Sequence, residues 1–298
     1  MMSVVSRPNV EWPTVAVAAG VYLAFGLLTL EYHQLPWWLV VPAGAFLVAL
    51  HGSLQHEVVH GHPTRWPWLN RLMVFPCLWL WIPFEIYADS HLRHHDDQRI
   101  TDPLEDPESY YLTGDAWNRA GPVRRALLGF NNTSVGRLLV GPFLALWTFL
   151  VVEGRALARR DSRHVRAWLV HLVSCATVIV WVVAVCDIPL WAYVLLFVYP
   201  GISLTLLRSF AEHRARPVVD ERIAIVETGP LMSLLYLNNN LHYVHHRTPT
   251  LAWYRLPAHW RANRDAVLAA NGGYRYSSYW DVIRRHAFHT REPVAWPL

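Results

Sequence analysis

Three short histidine clusters carry the chemistry this sequence can do. They read His56-Glu57-Val58-Val59-His60, His91-Leu92-Arg93-His94-His95 and His242-Tyr243-Val244-His245-His246. On a helix, residues at i, i+3 and i+4 share one face. The first cluster therefore offers two imidazoles to one side, and the second and third offer three each. Neutral imidazole suits iron, copper, zinc and nickel. Eight imidazoles are more than one ion can hold, so the set points to two ions that share the ligands. A lone histidine on an apolar face is usually a packed core residue. Two HxxHH triplets and an HxxxH, each beside an apolar span, are not explained by packing.

The composition says where such a centre must sit. Of the 298 residues, 53% are apolar and only 16% charged, too few charges to cover a soluble surface of this size. The 16 tryptophans suit a chain with long lipid–water boundaries, where indole rings collect. The chain reads as a membrane protein. All the basic residues are arginine, with a formal net charge of +4, and this small excess is no argument for nucleic acid. Cys77, Cys175 and Cys186 show no CxxC spacing and imply no disulfide framework. The N-terminal residues lack the pattern of a cleaved signal, so the first apolar stretch is expected to be retained.

The elements that position the histidines follow from hydropathy. Spans are expected at about 14–33, 36–55, 168–186 and 188–207. The second span delivers His56 and His60 to the membrane surface. His51 falls off that face and is expected to pack or support the ligands. His62, between Gly61 and Pro63, lies just past the expected helix end and is kept as a possible further ligand. Leu72 to Phe84 is too short to span and holds two prolines, so it is expected at the interface. The acidic loop Thr101 to Glu108 is either solvated or a source of carboxylates that orient imidazoles.

Arginine is absent from the turns at Glu31–Pro36 and Asp187 but concentrated in Arg155, Arg159, Arg160, Arg163 and Arg166. The positive-inside rule then puts both termini and all the clusters in the cytoplasm. Parity settles the rest, because clusters that share a site must be separated by an even number of crossings. Leu138 to Val152 is therefore expected to be interfacial or re-entrant. The expected fold is all-α and integral to the membrane, a single domain over residues 1–298. Four transmembrane helices carry a cytoplasmic helical cap that holds the di-metal site. His213, in Arg208-Ser209-Phe210-Ala211-Glu212-His213-Arg214, lies where the last span would run out of the bilayer to that cap. It is a candidate ninth ligand, or else a surface histidine paired with Glu212.

The three boxes, their order, their spacing to the spans and the His213 segment resemble the membrane fatty acid desaturase superfamily over about residues 14–260. Carried over residue by residue, the resemblance implies metal ligation by His56, His60, His91, His94, His95, His213, His242, His245 and His246. It also implies two iron ions and dioxygen as co-substrate. Desaturases, hydroxylases, alkane hydroxylases and carotenoid ketolases share the boxes. His242 to Pro257, with HYVHH followed by TPTLAWYRLP, is also similar to the third box of carotenoid ketolases. In one departure, Ser209 stands where some members have Asn, and Asn238, Asn239 or Asn240 is a candidate replacement.

The expected function is oxygen-dependent desaturation of a fatty acyl chain, with lipid as substrate. Electrons are expected from a separate ferredoxin-type or flavoprotein donor docking on an arginine-rich cytoplasmic face, since the chain shows no cysteine set for an iron–sulfur cluster and no haem-domain signature. The expected location is an inner or plasma membrane. Hydroxylation or ketolation of a carotenoid or other apolar molecule is the alternative within the same chemistry. A non-enzymatic metal binder or transporter is the alternative outside it. Transporters place their ions near the midplane at broken helices, whereas these clusters lie at helix ends. A haem protein would need only paired axial histidines within the spans.

Overall fold

The computed structural model describes residues 9–96 and 98–298. Residues 1–8, where the expected cytoplasmic N-terminus begins, and Asp97 lie outside the described residues. The described chain is mostly helical, with almost no strand. Its strands are β1 (Ile225–Val226) and β2 (Arg275–Tyr276), two residues each, paired in parallel.

Five helices are long and apolar enough to cross a membrane, one more than the four expected. They are α1 (Trp12–Leu30), α2 (Trp37–Val59), α8 (Gly141–Ala158), α9 (Ser162–Val185) and α10 (Leu190–Glu212). The extra one is α8, in the stretch expected to be interfacial or re-entrant. Several boundaries also differ from those expected. Helix α2 continues past residue 55 and carries His56 inside its last turns, and α9 begins six residues before the expected start at 168.

Local chemistry explains where α2 stops. His60 caps it, and Gly61 follows at φ 82°, left-handed backbone that a glycine adopts without strain. The Gly61 N–H donates to the Val58 carbonyl at 2.9 Å, and the His62 N–H to the Glu57 carbonyl at 3.0 Å. These two bonds satisfy the last carbonyls in a Schellman motif.

Helices α2 and α10 form the centre of the bundle and approach closely because glycines line their contact. A Cβ on Gly201 would lie 2.6 Å from Val48, and one on Gly44 would lie 2.5 Å from the Phe197 ring. Small residues at such crossings let helix backbones pack without a hydrophobic drive from solvent. The main core gathers around them, with Val48, Leu54, Tyr193, Phe197 and Phe210 fully buried.

Shorter elements fill the side that carries the histidines. These are α3 (Pro67–Met73), α4 (Phe84–His94), α5 (Gly114–Asn118), α6 (Pro122–Asn131) and α7 (Ser134–Leu139). After α10 come α11 (Pro230–Leu235), α12 (His242–Arg247), α13 (Leu256–Ala270) and α14 (Tyr279–His286). The stretch from Leu72 to Phe84 forms no long helix. Beyond α3 it turns irregular, buries Cys77, Leu78, Trp79 and Trp81, and sets Trp79 against Gly52 of α2.

Helix α8 is tied to its neighbours at both ends. Just before it, the Leu138 carbonyl accepts from Ser203 Oγ of α10 at 2.7 Å. Near its end, Glu153 accepts from His164 Nδ1 at 2.8 Å and Trp168 Nε1 at 3.0 Å, both in the first turns of α9. Arg163, at the start of α9, lies 3.6 Å from Asp89 of α4, two residues before His91.

Candidate metal centre

Each cluster enters the site on a different kind of support. His56 lies in the last turns of α2, and His60 is its capping residue. His91 and His94 end α4, with His95 at its cap. His242, His245 and His246 make up half of α12. His213 follows the last residue of α10, where the chain turns from helix to extended backbone.

The structure brings all nine expected histidines together in two groups able to hold a metal. His56, His60, His91, His95 and His245 form one, and His94, His213, His242 and His246 form the other. The triplets do not each serve a single face, as their spacing suggested. His91 and His95 go to the first group while His94 goes to the second. The third cluster does the reverse, sending His242 and His246 to the second group and His245 to the first. Residues three and four apart diverge by enough angle for two centres side by side to divide them.

The ring nitrogens converge. Nε2 of His91 lies 3.2 Å from Nε2 of His60 and 3.1 Å from that of His95, which lies 3.1 Å from His245 Nε2. In the second group, His213 Nε2 lies 3.0 Å from His94 Nε2 and 2.9 Å from His242 Nε2, and His246 Nε2 lies 3.1 Å from His242 Nε2. Two nitrogens bound to one ion at about 2.1 Å are about 3.0 Å apart when they meet at a right angle. The spacing is therefore that of neighbouring ligands about a common centre.

The other ring nitrogens show why these are not ordinary histidine–histidine hydrogen bonds. His94 Nδ1 donates to Asp106 at 2.8 Å and His91 Nδ1 to Glu108 at 3.0 Å. His242 Nδ1 donates to Asn239 Oδ1 at 3.0 Å, with Glu212 at 3.2 Å. A neutral imidazole that donates from Nδ1 carries a lone pair on Nε2. Whether His94 is neutral or charged, only one proton fits among the Nε2 atoms of His94, His213 and His242, so one of the two contacts is left as facing lone pairs. A shared cation removes this repulsion, so the donor set fits a metal.

Charge in the site points the same way. His91, His95, His213, His242, His245 and His246 are held well below the ordinary histidine value, first by burial and then by the repulsion a charge on them would meet from neighbouring rings or arginines. They stay neutral, as ligands must. His94 differs. Burial opposes its charge, but the carboxylates of Glu108 and Asp106 outweigh that and push it up to about 9. The negative surroundings that favour a proton on His94 also favour a metal cation at its Nε2.

The acidic loop divides between its two expected roles. Asp102 accepts from the Leu104 and Glu105 N–H groups and shapes the turn at the surface. Asp106 and Glu108 reach the imidazoles, and Asp106 is held in turn by the N–H groups of Thr101 and Glu108. Ser209 bonds back to Leu206 on its own helix. Asn239 is the asparagine that reaches the histidines, with Oδ1 on His242 and Nδ2 3.2 Å from His56 Nε2, so it joins the two groups.

His62 belongs to neither group. Its Nδ1 lies 2.8 Å from both carboxylate oxygens of Glu11, beside the start of α1. His51 is fully buried and packs edge-on against Tyr22.

Sequence reasoning missed three supports. Glu212 sits beside His242, not His213. Tyr110 donates to the His213 carbonyl at 3.1 Å, and Arg291, from the C-terminal tail, donates to that carbonyl and to the Tyr110 hydroxyl. No short-range pattern marks Arg291, because it lies 78 residues from His213 in sequence.

The helical fold and the histidine groups define a membrane-type protein built around a multi-histidine site able to hold metal. The family model described as fatty acid desaturase matches residues 33–280, and the chain belongs to that family. No curated protein matches the sequence. Arg291 lies beyond the matched residues, so the tail's clamp on His213 lies outside the family's matched region.

Proposed function

We propose that the chain is a di-iron membrane oxidase that uses dioxygen to introduce a double bond into a fatty acyl chain. The observation that carries this reading is the division of nine imidazoles into groups of five and four, with carboxylates or an amide behind three of them. Five donors about one ion and four about the other leave each short of the six an octahedral ion takes, which is room for dioxygen. When bound, the iron pair would supply the activation of dioxygen that attack on an unactivated C–H bond requires.

The protein's own residues hold and orient. Asp106, Glu108, Glu212 and Asn239 fix the tautomer and ring angle of the imidazoles they touch. Removing two hydrogens from the chain while reducing one dioxygen to two waters takes two further electrons and two protons. A separate electron donor, ferredoxin-type or flavoprotein, is part of the proposal. Complementary charge would speed its docking on the arginine-rich face and make the encounter salt-sensitive.

We also propose four crossings, with α8 lying along the metal-side surface. His94 and His213 touch, yet α8, α9 and α10 lie between them in sequence. Contact requires an even number of these to cross. Helix α8 leaves α10 near Ser203 and returns to the first turns of α9 beside α4, so its two ends share one half of the bundle. The five-arginine block then lies on the histidine side, which the positive-inside rule makes cytoplasmic together with both termini of one membrane domain.

Ketolation or hydroxylation of a carotenoid is the second reading. The segment from His242 to Pro257 favours it, and it packs at the site: Trp253 donates from its ring N–H to Thr14 at 3.1 Å and from its backbone toward Glu57.

Lipid mass spectrometry separates the readings in a host that lacks unsaturated acyl chains and makes a carotenoid. Desaturation removes two hydrogens from an acyl chain, and oxygenation adds oxygen to the carotenoid. An unchanged acyl profile beside an oxygenated carotenoid would replace the first reading with the second. Turnover by purified protein with dioxygen and no reductant would sink both.

A further inference from the structure

We propose that Cys77, His171 and Cys175 form a separate, thiolate-rich site for one zinc ion, distinct from the nine histidines. Their ligand atoms all lie within 4.8 Å of one another, and none belongs to either histidine group. His171 and Cys175 are one turn apart on α9, so they share a face. Cys77 comes from the irregular segment after α3, and Ser174 fastens that segment by donating to the Phe75 carbonyl. Cys175 Sγ lies 3.3 Å from His171 Nε2. Sulfur and nitrogen bound tetrahedrally to zinc, at about 2.3 and 2.05 Å, are about 3.6 Å apart. A small adjustment closes the site.

Two further observations point to a ligand here. All three side chains are buried, both cysteines are free thiols, and two sulfurs and a ring nitrogen converge there without a disulfide. Beside them lies a cavity of about 90 Å³, lined by Gln55, Cys77, Phe84, Ala167, His171 and Ser174. The Gln55 amide is buried there with neither its nitrogen nor its oxygen hydrogen-bonded. The cavity has room for the water that zinc takes as a fourth ligand in three-residue sites. Its lining also includes the half-exposed Arg71–Glu85 pair, which marks a route from the surface.

Charge selects the ion. Zinc binding replaces the two thiol protons, which leave to solvent, and two thiolates with a neutral imidazole cancel the divalent charge. A monovalent copper ion would leave one negative charge uncompensated in apolar surroundings, which is costly.

Cobalt(II) is the probe, added to the full-length protein in detergent under argon. The nine-histidine centre offers only nitrogen, so a sulfur-to-cobalt charge-transfer band reports this site alone. One equivalent is expected to give the band and zinc to bleach it. C77S and C175S are expected to abolish it, and C186S to keep it. If the serine variants fail to fold, H171N is expected to shift and weaken the band. The proposal is overturned if the band is absent while three thiols titrate, or if it survives both C77S and C175S. Recovery of Cys77 and Cys175 as a disulfide, or bleaching by copper(I) but not by zinc, would also overturn it.

Discussion

Asp106 shows how much of the centre depends on atoms that would touch no metal. One of its oxygens holds His94 Nδ1 and the other the Thr101 N–H, so the carboxylate fixes both a ring and the loop that carries it. Such groups behind a ligand are typically worth about 10–100-fold in metal affinity. D106N is therefore expected to weaken iron retention by about that factor, with loss from the second histidine group first. Iron per chain after dialysis against a graded chelator measures it. Two iron atoms held as tightly as in the parent would refute the role of Asp106. His62 makes the opposite case at the same scale. Its partner is Glu11, so H62Q is expected to keep the full iron content and to lower only thermal stability. Loss of one iron in H62Q would show that His62 joins the centre in solution.

At the scale of elements, the close crossing of α2 and α10 sets the distance between His56 and His213. A valine at position 201 would drive its Cβ into Val48 and toward the Ala45 carbonyl, which is backbone and cannot swing away. Overpacking of this kind costs about 1–3 kcal/mol. G201V is expected to lower the unfolding midpoint in detergent and to release iron, because the helix ends that carry ligands move apart. A Cβ at Gly154 of α8 meets nothing within 4 Å, so G154A is the control, expected to keep the iron content and not to lower the midpoint. The tail is the second element to test. Arg291 donates to the His213 carbonyl from beyond the family's matched region, and R291A removes that clamp. Iron is expected to fall toward one per chain while helical content stays constant, and an unchanged iron count would show that α10 alone positions His213.

At the scale of the molecule, the contact between His94 and His213 constrains how the chain crosses the bilayer. Cysteine substitutions read this directly in sealed membranes with an impermeant thiol reagent. D115C and R159C, on either side of α8, are expected to label from the cytoplasmic side, and D187C from the opposite side. Labelling of D115C and R159C from opposite sides would make α8 a crossing helix and overturn the four-span arrangement.

The sequence by itself determined the membrane class, the family and where α2 ends. Apolar runs persist whatever they pack against, and Gly61 terminates α2 through a backbone conformation set locally. The histidine spacing told which residues share a helix face, and the acidic loop supplied both Asp106 and Glu108. Tertiary structure alone decided how the imidazoles divide. His91 and His94 are three apart on one helix, yet they go to different groups: His91 meets His60 at the end of α2, and His94 meets His213 at the end of α10. It also decided that Glu212 serves His242, that Asn239 links the two groups, and that Arg291 reaches His213 across 78 residues. Apart from Asn239 with His242, three residues apart, none of these pairings has a periodicity or a fixed spacing. They depend on where distant elements dock, and docking is set by side-chain volumes such as the missing Cβ of Gly201, which a linear pattern does not encode.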